Sequence, residues 1–220
     1  MPCNVLVVVL LLCNEVRTWS QGTIYTDRSV FNSALQSSTT ITFETLNQAT
    51  NGPIGLSPIT VGPGPIPVLS VTNLEHRLFI CSPTGTWHPI AGDGQYIWNF
   101  DSSYPIGVFW SGTRNAFGAD FSGGIVQNNP FNASITVNLA DGSTFTHNFT
   151  GNLGSWTFRG FVFPQTISSI IYSDGGPFLP GAHEEMIDNV TLGNAVPEPK
   201  VIVISLCAAL AFFRRRVFAK

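Results

Sequence analysis

The chain has 220 residues, 10 of them basic and 13 acidic, for a formal net charge of -3. Between residues 21 and 199 only four basic residues remain, Arg28, Arg77, Arg114 and Arg159, against twelve acidic ones, a net of -8, and that stretch has no lysine. A field of that sign excludes nucleic acid as a partner, because phosphates need clustered Lys and Arg; it suits divalent cations or solubility.

Residues 1–20 read as a signal peptide. Val5 to Leu12 is an apolar stretch of h-region length, and Thr18-Trp19-Ser20 offers small residues for cleavage near Ser20. Met1-Pro2-Cys3-Asn4 carries no Lys or Arg, so the reading rests on the h-region and the polar stretch after it. Leu12 before Cys13 is too large for a lipoprotein signal. With Cys3 and Cys13 in the leader and Cys207 in the tail, Cys81 is alone in the exported part and no internal disulfide forms there. About 175 residues bury a core without one. Cys81, following Leu78-Phe79-Ile80, reads as a small buried hydrophobe.

Residues 21–195 read as one all-β domain. Thr, Val, Ile and Phe recur in short alternating runs separated by Gly, Pro, Asn and Asp, with no sustained helical period. One short helix is expected over Ser29 to Leu35, starting after Asp27. The Gly- and Pro-rich segment from Asn47 to Pro67 is expected to be a long loop or irregular edge. At Ala140-Asp141-Gly142 a three-residue loop with Gly142 left-handed pairs Val137 with Phe145, which aligns the apolar faces and turns His147 inward beside Ile135. The closing strand is Met186 to Leu192. About ten such strands predict an antiparallel two-sheet sandwich of jelly-roll type.

Residues 196–220 are an address. Val196-Pro197-Glu198-Pro199-Lys200 holds the backbone extended before any helix begins. The apolar run Val201 to Phe213 makes roughly 20 Å of helix, shorter than the roughly 30 Å of a bilayer core. Arg214, Arg215 and Arg216 then keep the tail end cytoplasmic and send the rest out.

Pro197, Glu198 and Pro199, the apolar segment and Arg214 to Arg216 together resemble the PEP-CTERM sorting signal of exported proteins in exopolysaccharide-making bacteria. Lys200 and the short apolar run depart from the family pattern. The resemblance implies an exosortase as processing partner and transient anchoring in the inner (cytoplasmic) membrane by the C-terminal helix. Release to the cell surface or extracellular matrix follows. The stretch from about residue 40 to 195 is similar to the exported domains that precede such tails, which look like lectin-type and carbohydrate-binding sandwiches. In that likeness a Phe-Glu strand, here Phe43-Glu44, lies beside a closing Ile-Asp-Asn strand, here Ile187-Asp188-Asn189. Glu44, Asp188 and Asn189 then become candidate ligands of a structural Ca2+, whose hard-oxygen preference they suit.

Trp87, in Thr86-Trp87-His88-Pro89, and Tyr96, in Gly94-Gln95-Tyr96, read as loop aromatics and are candidate glycan-stacking residues. No catalytic residue is expected. Adjacent Glu184 and Glu185 point to opposite faces of a strand, and no nucleophile elbow, His-Glu-x-x-His or phosphate-binding glycine loop is present. The reading is a non-enzymatic exported surface or matrix protein. The alternative is an exopolysaccharide-binding module with structural Ca2+, and a glycan hydrolase comes third.

Overall fold

The computed structural model describes residues 22–45, 54–55, 59–61, 69–72, 77–81, 94–100, 104–123, 130–152, 154–174 and 184–196. The signal segment, Trp87, and the sorting residues Pro197, Glu198, Pro199, Arg214, Arg215 and Arg216 lie outside these. Among the described residues no helix is long and apolar enough to cross a membrane.

Asp27 opens the helix α1, Arg28–Ser33, by accepting the Val30 N–H at 2.9 Å and the Ser29 hydroxyl at 2.6 Å. The strands are β1 (Thr23–Tyr25), β2 (Leu35–Ile41), β3 (Ile54–Gly55), β4 (Ile59–Val61), β5 (Leu69–Thr72) and β6 (Arg77–Cys81). They continue with β7 (Tyr96–Phe100), β8 (Ile106–Gly123), β9 (Phe131–Leu139), β10 (Thr144–Gly151), β11 (Thr157–Asp174) and β12 (Glu184–Ala195). The short strands β3 and β4 fall in the segment expected to be a loop.

All the ladders among the described residues are antiparallel, and two 18-residue strands, β8 and β11, organise them. Their facing halves belong to different layers. Ala116 to Phe121 pairs with Thr157 to Val162, and this half is flanked by β12 and β1. Beyond β12 the layer continues through β2 on one stretch and through β7, β6 and β3 on another. Ile106 to Phe109 pairs with Ser169 to Tyr172, and this half is flanked by β5 with β4, and by β9 with β10. Gly112, at φ +85°, lies between the halves of β8. A register shift between Val162 and Ile167 separates those of β11. Strands that change layer at bends are how sandwich corners are made.

The two layers close on an aromatic core. Phe121 meets Tyr172 at 4.8 Å between ring centroids and Phe149 at 6.0 Å; Phe145 meets Phe163 at 5.4 Å. The Tyr172 hydroxyl donates across the gap to the Ser122 carbonyl at 3.0 Å, which satisfies the polar end of a fully buried ring. Folding β8 back on itself stacks Trp110 on Phe117 at 5.7 Å. The all-β sandwich expected from the alternation is what forms.

The two outer surfaces differ. On the β1 and β12 layer, Gly118 and Gly160 stand opposite each other in register, and a Cβ on either would come within 2.7 Å of the Phe31 ring. Phe31, fully buried, fills that slot and seats α1 on the layer. Tyr25 and Phe158 flank it, each with its ring centroid 5.6 Å from that of Phe31. On the other layer, β9 and β10 form the expected hairpin: Val137 faces Phe145, His147 faces Ile135, and Gly142 is left-handed at φ +84°. Asp141 braces the turn by accepting from the Ser143 hydroxyl at 2.6 Å and its N–H at 2.9 Å, which holds its carboxyl below the usual range.

Candidate functional site: an uncharged outer face

The described candidate site residues read from the sequence have different settings. Phe43 and Glu44 form a 3-10 turn, Phe43–Thr45, after β2 ends, and not a strand; Phe43 is drawn wholly into the core. The Glu44 carboxylate accepts the Gln95 N–H at 2.6 Å and rests so closely on Gly94 that a Cβ there would overlap it. Asp188 and Asn189 have different partners. Asp188 lies opposite Asp120, and Asn189 donates from its amide to Asp120 at 3.0 Å and Asp188 at 3.2 Å. Asn189, at φ 49°, sits in a bulge of β12, where the register shifts between Asp188 and Thr191. The positive charge beside these groups is the guanidinium of Arg28, 2.8 Å from Asp120. Among the described residues no three His, Cys, Asp or Glu side chains gather as a metal donor set. Glu44, Asp188 and Asn189, the residues of the Ca2+ expectation, thus hydrogen-bond to protein groups.

Tyr96 also departs from expectation. It lies in β7 at 2% exposure, with Trp156 edge-on at 5.4 Å and Trp98 and Met186 in the same cluster. The reason is the alternation of Tyr96-Ile97-Trp98: Ile97 enters the inter-layer core, so its neighbours pack together on the opposite surface. A ring so buried has no face for a sugar.

An exposed aromatic stands instead at Phe109 in β8, 42% exposed. Its ring reaches over Gly107, where a Cβ would meet Phe109 Cε2 at 2.8 Å, so it inclines along the sheet. Cross-strand registers extend this position into a grid. One row runs Ser70, Phe109, Ser169, Asn138, Thr144; the next runs Thr72, Gly107, Ile171, Thr136, Thr146. Ser173, Ser134 and Asn148 continue it, then Asn132 opposite Thr150. None of these residues is charged. With strands about 4.8 Å apart and like-facing residues about 6.7 Å apart along each strand, the hydroxyls and amides lie at strand spacing, Ser169 among them being buried beneath its neighbours.

The grid is held by its own hydrogen bonds. Thr136 and Thr146 hydroxyls lie 3.1 Å apart, the Asn138 amide donates to Ser169 at 2.9 Å, and the Thr150 hydroxyl donates to Asn132 at 3.1 Å. Ser, Thr and Asn side chains both donate and accept, as sugar hydroxyls do. The sequence signal for the face was present in Phe131-Asn132-Ala133-Ser134-Ile135-Thr136-Val137-Asn138, whose polar alternates are all neutral. The meeting of that row with Phe109 depends on the ladder from β9 through β11 to β8.

No family model matches the sequence, and no curated protein matches it. Solved structures give distant likenesses. The module TmCBM61, solved with β-1,4-galactotriose, is 11% identical over 57% of this chain and 88% of its own, with a TM-score of 0.39. The K2 adhesin domain of Lys-gingipain is 9% identical over 71% of this chain and 99% of its own, with a TM-score of 0.44. The family 11 carbohydrate-binding module of Clostridium thermocellum Lic26A-Cel5E is 13% identical over 74% and 99%, with a TM-score of 0.34.

Proposed function

We propose that the chain is an exported, non-catalytic polysaccharide-binding module whose outer β4-β5-β8-β11-β9-β10 face is the binding surface. The observation that carries this reading is the uncharged Ser/Thr/Asn grid around exposed Phe109. Hydroxyls and amides at strand spacing match the hydroxyls of an extended glycan, the Phe109 ring offers an apolar patch to a pyranose face, and no buried charge has to be desolvated. The ligand class is a neutral polysaccharide. Affinity electrophoresis of the full chain through gels containing neutral or anionic polysaccharides tests it. Retardation by a neutral polymer, reduced about tenfold in affinity by Phe109→Ala, is the expected result. Retardation by none, or a Phe109→Ala protein that migrates as wild type, removes the reading.

Delivery to that ligand rests on the tail. Pro197-Glu198-Pro199, the apolar run and Arg214 to Arg216 support sorting by an exosortase at the cytoplasmic membrane and release to the surface or matrix. Fractionating cells that express the full chain, beside a Glu198→Ala and a 196-residue truncation, tests sorting separately from binding. Unchanged processing in both variants counts against it.

A further inference from the structure

Among the described residues, the rim between the layers holds two nitrogen groups without an acceptor. Arg159, in the half of β11 that pairs with Ala119, and His147 of β10 both reach the ring of Phe149. Arg159 Cζ lies 4.7 Å from the centroid of that ring, and its Nη1 donates to the Phe158 carbonyl at 2.7 Å. Its Nε is buried with no partner. His147 lies alongside Phe149 at 6.2 Å and edge-on to Phe161 at 5.9 Å, and its Nε2 is also buried with no partner. No carboxylate pairs with Arg159 among the described residues. Both side chains are part-exposed although these two nitrogens are buried, and β10 is the edge of its layer.

Buried polar groups are nearly always satisfied, and a guanidinium turned toward a core without counter-charge is costly. Here the unmet needs of two neighbouring residues share one sign. Among the described residues Arg159 has no acceptor at Nε, and His147 Nε2 has no partner. Both groups lie against the Phe149 ring, and a guanidinium offers a planar fork to the oxygens of an anion.

We propose that Arg159 and His147 form an oxyanion-binding site at the open edge beside β10, taking the carboxylate of an acidic sugar or a free tetrahedral anion such as sulfate. The site is distinct from the neutral outer face and stands independently of it. Burial first, and the charge of Arg159 second, hold His147 below its ordinary pKa. Of the groups that face His147, Ile135 from β9, Phe149 from β10, and Phe161 and Arg159 from β11, only Arg159 is charged. An anion beside Arg159 offsets the second effect, so binding draws a proton onto His147.

The test is imidazole nitrogen NMR on the full chain labelled at histidine, with the His147 signals assigned by their loss in His147→Phe. Sulfate, galacturonate and, as a neutral control, galactose are titrated at constant ionic strength. Saturable shifts of His147 with an oxyanion but not with galactose, a raised His147 pKa in the complex, and about tenfold weaker binding in Arg159→Gln are expected. Response to galacturonate alone assigns a sugar carboxylate; response to sulfate alone assigns a free anion. No saturable shift with either, or an undiminished response in Arg159→Gln, overturns the proposal. Should Arg159→Gln fail to fold, wild type and His147→Phe are melted with sulfate against chloride at equal ionic strength. Sulfate stabilisation confined to wild type supports the site, and equal stabilisation overturns it.

Discussion

Arg28 Nη2 and Asp120 Oδ2 meet at 2.8 Å, and this contact fastens the first helix to the middle of the sandwich. The two atoms lack hydrogen-bond alignment, so the attraction is one of charge. The other arm of the fork, Nη1, donates to the Asn189 carbonyl and the Thr191 hydroxyl, each at 3.2 Å, while the guanidinium covers the Phe158 ring at 4.5 Å. Helix, β8, β11 and β12 thus converge on one side chain.

Replacing Arg28 by Met keeps the stem and removes the charge, leaving Asp120 opposite Asp188 with the Asn189 amide donating to both. The expected loss is about 1–2 kcal/mol in denaturant unfolding, kept modest because both partners are partly solvated. Asp120→Asn in the Arg28→Met background recovers part of that loss by removing the like-charge pair. Additive effects of the two substitutions would show that the residues are not coupled.

Phe31 depends on two glycines far apart in the chain. Gly118→Ala and Gly160→Ala each put a methyl group into the space of its ring and should cost about 1–3 kcal/mol. Phe31→Ala, which empties the slot, should cost about 3–5 kcal/mol. If the double variant Gly160→Ala with Phe31→Ala is less damaged than the sum of the single changes, the steric origin is established; strict additivity argues against it.

His147 makes stability depend on pH in a set direction. Its pKa is lowered in the folded protein from an ordinary value near 6.5, so the unfolded chain binds more protons between the two values. Stability is then fully present above about pH 6.5 and is lost as pH falls through that window. Melting temperatures from pH 7.5 down to 5 should decline, and His147→Phe should flatten the part of the decline that lies just below pH 6.5. An identical profile in the variant assigns the decline to other groups.

Phe109→Ala is expected to separate binding from folding. The ring is 42% exposed and rests over a glycine, so its removal opens no core cavity and should shift unfolding by less than about 1 kcal/mol. A melting temperature that falls as far as for Phe31→Ala would make Phe109 a structural residue and weaken its place in the proposed face.

The features legible in the residue order are those encoded by neighbours. Period-2 alternation from Phe131 to Leu139 places Ile135 and Val137 inside, Gly142 supplies the left-handed turn residue, and Asp27 starts the helix, because backbone preference and side-chain direction act within a few residues. Tyr96 and Glu44 were misplaced for a complementary reason. Gly94 before Tyr96 reads as loop and Phe43-Glu44 reads as a strand from the resemblance, while the apolar bodies of Tyr96, Trp98 and Phe43 have surfaces to meet elsewhere in the chain, and burial outweighs local preference.

Position across the layers is a different kind of information. Gly118 and Gly160 become one slot for Phe31, Phe109 joins a neutral grid, and Arg159 comes to His147 only when β8 and β11 cross from one layer to the other in a particular register. That register is set by packing summed over the whole core. The composition of Ser, Thr, Asn and Phe in this chain therefore supplies the chemistry of a binding face, and the long-range ladder supplies its plane.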